Sequence, residues 1–246
     1  MNHIYKQILV SIILSACFVL NGKAQKKDVK NSNQQWFQYS SQIKFSDKWR
    51  LSAILGYRTR DGFSHSLLYF AGTRMGYQLN PGVTLSLGFN HLGFYTSGRL
   101  SQREYRPYQQ FTLVRKYKNI GTGHRLRVEQ RYFRKRAYED IKAESRANLR
   151  FRYRFSLSLP LLQFPPFDSD KKLLFTPSYE IFINAGKEIV YNVFDRQRIL
   201  AGLTMQFNRK LSVSMSYVHQ FTALNLPRSF DSAHVLWLSV SQNFDW

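Results

Sequence analysis

Residues 146–159 read RANLRFRYRFSLSL. From Asn148 to Leu159 the stretch alternates without a break. Leu149, Phe151, Tyr153, Phe155, Leu157 and Leu159 fall on one face, and Asn148, Arg150, Arg152, Arg154, Ser156 and Ser158 on the other. Period-2 alternation is the mark of a strand with two different faces. At about 3.3 Å per residue this strand is more than about 35 Å long. Strands of soluble domains usually stop near 5–6 residues, roughly half that length. A tilted strand that crosses a bilayer needs about 9–11 residues. The arginines therefore belong to a membrane strand or to a nucleic-acid surface, and the rest of the chain decides which.

The N-terminus speaks against nucleic acid. MNHIYKQILVSIILSACFVLNGKAQ carries Lys6, an apolar run from Ile8 to Leu20, and small residues at Gly22 and Ala24. That order is a secretory signal peptide over 1–24 with cleavage after Ala24. The apolar run is too short to span a bilayer as a helix. Leu14-Ser15-Ala16-Cys17 offers an alternative lipoprotein cleavage that would leave Cys17 lipidated, but Phe18-Val19-Leu20 continue the apolar run past it. With cleavage after Ala24 the mature chain has no cysteine, so neither a disulfide framework nor thiol chemistry is open to it. An exported chain does not meet cytoplasmic DNA or RNA, so the formal charge of +21 needs another partner.

The alternation recurs along the chain. Eleven segments carry it, near 35–45, 48–59, 67–79, 82–95, 103–116, 122–134, 145–159, 172–184, 195–207, 210–221 and 233–246. Ser46-Asp47-Lys48, Asn80-Pro81-Gly82 and Asn208-Arg209-Lys210 are tight turns. The links 60–66, 96–102, 135–144, 185–194 and 222–232 are longer and polar. Short turns at one end and long loops at the other are the layout of an outer-membrane barrel. Mean hydropathy of −0.38 is compatible, because only alternate residues of such a barrel meet lipid. A soluble sandwich or lipocalin-like barrel would use shorter strands and tight turns at both ends. The expected fold is all-β, a transmembrane up-and-down antiparallel barrel of ten to twelve strands over 35–246, preceded by an N-terminal segment at 25–34. Twelve strands are favoured over eleven because bacterial single-chain barrels have even numbers. Phe244 and Trp246 end the chain in the manner of the signal read by the outer-membrane barrel assembly machinery.

Apolar faces must meet lipid, since a charge there costs about 2–4 kcal/mol near the midplane. The polar faces then line the lumen. This places Arg106, Arg125, Arg127, Arg131, Arg150, Arg152, Arg154 and Arg198 inside with Glu104, Glu129 and Glu180; Arg50, Arg58 and Arg74 join them. Arginines outnumber carboxylates. Some pairs should form bidentate bridges across the lumen, and the excess must face water or an anion.

Glu104-Tyr105-Arg106-Pro107-Tyr108-Gln109-Gln110, His124-Arg125-Leu126-Arg127-Val128-Glu129-Gln130-Arg131, Arg150-Phe151-Arg152-Tyr153, Tyr179-Glu180-Ile181-Phe182 and Arg196-Gln197-Arg198 occur in order. In these runs the chain, over roughly residues 33–246, resembles a family of uncharacterised Gram-negative outer-membrane proteins known as a domain of unknown function. The resemblance implies a small β-barrel in the outer membrane and brings no activity with it.

No residues unite the roles of a catalyst. His65-Ser66 sits in an expected loop, His219 has no serine at strand spacing, and His91 and His234 fall outward near strand ends. No Gly-rich phosphate loop and no metal-ligand cluster are present, so neither a cofactor nor a metal is expected. The expected partners are membrane lipid and lipopolysaccharide, the latter in reach of loop 135–144, together with a small anionic solute. The link 160–171, PLLQFPPFDSDK, reads as a rigid extended turn or as a docking point for a periplasmic partner. Two functions remain: an anion-attracting pore or solute-binding cavity, and a closed structural barrel held by Arg–Glu bridges that binds a partner. An enzyme acting on lipid is a distant third.

Overall fold

The computed structural model describes residues 27–135, 145–165 and 170–245. The signal peptide, Cys17, nearly all of loop 135–144 and Trp246 lie outside the described residues. Among the described residues there is no helix. Eleven strands close into one barrel: β1 (Asp28–Lys44), β2 (Trp49–Arg60), β3 (His65–Asn80), β4 (Val83–Thr96), β5 (Arg99–Tyr117), β6 (Ile120–Lys135), β7 (Ser145–Gln163), β8 (Lys172–Ala185), β9 (Phe194–Gln206), β10 (Leu211–Ala223) and β11 (Ser229–Asp245). Each strand pairs antiparallel with its neighbours in sequence, and the barrel closes where β1 meets β11 in parallel.

The expected barrel is thus present, with eleven strands where the even-number rule favours twelve. The reason is geometric. A meander reverses direction at every step, so an odd number of strands brings the first and last together pointing the same way. The evenly spaced bonds of a parallel ladder accept that closure. The seam is long, running from Asp28↔Ser229 to Lys44↔Asp245. It also draws residues 28–34 into β1, ahead of the expected start at 35. Their sequence, DVKNSNQ, has no apolar alternation and is held by pairing alone.

Two links differ from expectation. The connection 96–102 shrinks to Ser97-Gly98, with φ of 49° and 75°. Positive φ at both central positions is the conformation of a tight hairpin turn whose twist suits the flanking strands. The link 160–171 starts later, because β7 runs on through Pro160 to Gln163. A bulge between Pro160 and Leu162 accommodates the missing amide donor there. The turns at 45–48, 81–82, 118–119 and 207–210 lie at one end of the barrel, the turn end. Links 136–144 and 186–193 mark the loop end.

The faces separate as their chemistry demands. Phe151 is 45% exposed on the outside while its neighbour Arg150 is 3% exposed inside. Leu87, Leu126, Met215 and Tyr217 are likewise outward and more than half exposed. An apolar belt of this kind is far larger than the patches that soluble monomers show to water. Lipid is the solvent it suits. The lumen is not uniformly polar, however. Trp36, Leu200, Val218, Ala233 and Val235 form a buried apolar cluster between β1 and β9–β11, with Trp237 edge-on to Trp36 at 5.7 Å.

The parallel seam gives a direct test. Ser40 and Ser241 face each other across it with hydroxyl oxygens 2.8 Å apart. The double variant Ser40→Cys/Ser241→Cys should form a disulfide in the folded barrel, seen as a mobility shift that reductant reverses. A twelfth strand between β1 and β11 would prevent it.

Candidate functional site

Strand alternation sends the polar residues of β5 to β9 inward, and there they meet. Glu104 on β5 and Glu129 on β6 have no exposed surface, and Glu180 on β8 is buried. Arg106 and Arg131 both donate through Nε to Glu104 Oε1, at 2.8 and 2.7 Å. Arg150 grips Glu129 Oε2 with Nε and Nη2, at 2.8 and 2.6 Å. Arg152 bridges two strands' carboxylates, donating to Glu129 at 2.5 Å and to Glu180 at 2.7 Å. Arg125 reaches Glu180 at 2.6 Å, and Arg198 lies 3.8 Å from it. Arg127 lies 3.5 Å from Glu129 and donates to Gln110. Each carboxylate is held by at least two guanidiniums. Charge-assisted and forked bonds of this sort are the strong ones, and buried charges need them.

A fourth carboxylate completes the network. Asp195 accepts from Arg150 Nη1 at 3.0 Å and Arg196 Nε at 2.9 Å. Alternation alone does not place it inside, because its neighbour Arg196 is already inward. A bulge explains it. Phe182 pairs with Arg196 and Ile183 with Phe194, so Asp195 is the extra residue. A bulge of this kind re-aims a side chain, here into the lumen. Phe182, 1% exposed, is the other residue whose role the strand pattern does not reveal. The guanidinium carbons of Arg150, Arg152, Arg196 and Arg198 lie 4.4–5.8 Å from its ring centre. Its ring face offers the cations a partner that carries no charge of its own.

Of the eleven arginines expected inside, ten line the lumen cavity and Arg50 does not, while Arg196 joins them; Glu180 lines it too, and Glu104 and Glu129 are buried. The cavity measures about 360 Å³, and eleven arginines contribute to it. Eight of the eleven belong to the carboxylate network. The other three stand outside it. Arg58 stacks on Trp36 at 3.8 Å, Arg74 donates to Ser52 at 3.1 Å, and Arg154 makes no hydrogen bond or ion pair among the described residues. Among the described residues, strands β1 to β4 supply no inward carboxylate to the cavity. Arg146, the first arginine of the opening stretch, is instead exposed near the loop end, 3.7 Å from Glu188.

Two histidines differ from expectation. His219 does have a serine partner: its Nε2 lies 3.0 Å from Ser232 Oγ, across the strand pair and two residues from its register partner His234. The diagonal is invisible without the register. His234 in turn meets Tyr217 OH at 2.6 Å. No carboxylate orients His219 among the described residues, and the Ser232 side chain is buried. A base and a hydroxyl therefore meet without the remaining parts of a nucleophilic site. His65 opens β3 and is not in a loop. Phe244 faces outward near the turn end, 39% exposed.

A family model described as "Protein of unknown function (DUF2490)" matches residues 33–229. No curated protein matches the sequence. Among solved structures, a NanC porin in a rhombohedral crystal form is similar at 12% identity, with a TM-score of 0.45, over 77% of this chain and 86% of that one.

Removing Glu129 leaves Arg127 buried without a carboxylate and takes one of two from Arg106, Arg150 and Arg152. Glu129→Gln should destabilise the folded barrel by roughly 3–5 kcal/mol, the cost of breaking a buried pair from one side. Urea unfolding of the refolded protein in lipid measures it. Lys44 and Asp47 make an exposed contact at 3.0 Å. Breaking it with Lys44→Gln should leave the urea midpoint unchanged.

Proposed function

For this chain, which belongs to the DUF2490 family of proteins of unknown function, we propose an outer-membrane barrel whose arginine-rich lumen draws in small anions, as a narrow pore or solute-binding cavity. One observation carries the reading: eleven arginines surround the cavity, and the four carboxylates of the network form ion pairs with only eight. Low-dielectric walls lined by one sign of charge focus the field and concentrate counter-ions. Rings of arginine are a common device of anion pathways. The proposed setting follows from the apolar belt, the export signal and the Phe244-Trp246 ending, with membrane lipid and lipopolysaccharide as neighbours and the assembly machinery as a transient partner. The function is not enzymatic in this reading.

The network itself favours a second reading. Glu104, Glu129, Glu180 and Asp195 tie β5 to β9 together across the lumen, as a closed structural barrel would require, leaving partner binding to the loops and to 160–171.

Planar-bilayer recording separates the two. The pore reading expects an anion-selective current from refolded protein. Arg74→Gln/Arg154→Gln, which breaks no ion pair, should shift the reversal potential toward zero in a salt gradient while the barrel still folds. Silence from a correctly folded wild-type barrel leaves the structural reading.

A further inference from the structure

The lumen is not evenly filled. The ion network crowds β5 to β9 and the apolar cluster crowds β9 to β1. The remaining wall, β2 to β5, is built differently. Four of its inward positions, Gly56, Gly72, Gly76 and Gly88, are glycines, and three of them lie under a side chain of the next strand. Phe70 covers Gly56, Asn90 covers Gly72 and Tyr108 covers Gly88, each directly opposite in register. A Cβ at any of the three would collide with the side chain above it. Glycine within a strand commonly marks such a close approach. The effect is that large side chains lie flat against the wall instead of standing into the lumen. Residues of this wall line the cavity together with the arginines of β5 to β9.

The flat wall has a definite chemistry. Phe70, Leu92 and Phe94 give the cavity an apolar surface. Arg58 and Arg74 rise from the same wall, and Arg154 comes to the cavity from β7. These are the three guanidiniums that form no ion pair with the network's carboxylates, although Arg154 lies opposite Glu180 in register and feels its charge. Arg125, held only through Nη2, lies within electrostatic reach of both Arg74 and Arg154, and the Nε atoms of Arg125 and Arg154 are buried without a partner. An apolar face beside cavity-lining guanidiniums that form no ion pair matches a molecule with both features.

We propose that this wall is a binding surface for a ring-bearing organic anion. The ring lies on Phe70 and Leu92, and the oxyanion group accepts from Arg74 and Arg154. The cavity, about 360 Å³, has room for one such molecule. That places it at the small end of the range of ligand pockets. The inference rests on the anion-attracting reading of the lumen and adds the class of anion and its location.

Phthalate and succinate test it, since both are dicarboxylates and only one has a ring. Phthalate should block the anion current of the refolded barrel at about tenfold lower concentration than succinate, the factor that partial burial of one ring supplies. Phe70→Ser should abolish that preference while selectivity for anions persists. Phe70→Leu, which keeps most of the volume and loses the ring, should reduce it. Arg74→Gln should weaken both ligands alike. Equal potency of the two dicarboxylates, or a preference that survives Phe70→Ser, would overturn the proposal and leave the anion-attracting lumen standing. If the barrel carries no current, titration calorimetry with the same two compounds decides this site independently of the pore.

Discussion

A carboxylate with no exposed surface inside a membrane barrel has to be met by cations from every open side. Glu129 is in that position, and the rest of the interior follows from it. Arg150 and Arg152 come from β7, Arg127 from its own strand and Arg106 from β5. Those arginines then need further acceptors, which Glu104, Glu180 and Asp195 provide. The result is one connected lattice that fixes five neighbouring strands against one another. Such a lattice is weak evidence for net stability, because desolvation offsets much of the attraction. It specifies register strongly, since a slip by one residue would turn every member toward lipid.

The lattice and the glycine wall divide the barrel between them. On one side, long side chains span the lumen. On the other, Phe70, Asn90 and Tyr108 lie flat and leave space. The apolar cluster around Trp36 fills the third sector, with the Trp36 indole N–H donating to Gln34 at 2.9 Å. Arg58 sits where these regions meet, stacked on Trp36 and 5.5 Å from Phe70. The interior is therefore partly filled and partly open.

Much of this is legible in the sequence, for a simple reason. Period 2 is fixed by strand geometry, so Arg150, Arg152 and Arg154 have to share a face with one another and oppose Phe151 and Tyr153. What is not legible depends on relations between strands. Asp195 turns inward because of a bulge that alternation cannot signal. Residues 28–34 become a strand because β11 offers an edge. Ser97-Gly98 closes tightly by adopting positive φ at both positions. His219 meets Ser232 along a diagonal that only the pairing register defines. Phe182 can be placed inside by parity, but its four cations come from two other strands.

Every cation that lines the cavity is an arginine; lysine and histidine are absent from its lining among the described residues. A guanidinium holds its proton far above the pH at which histidine or an amine terminus would titrate. The interior therefore carries fixed charge. Its pull on an anion cannot be switched off by mild acidification or strengthened by it, and any regulation of entry has to come from geometry.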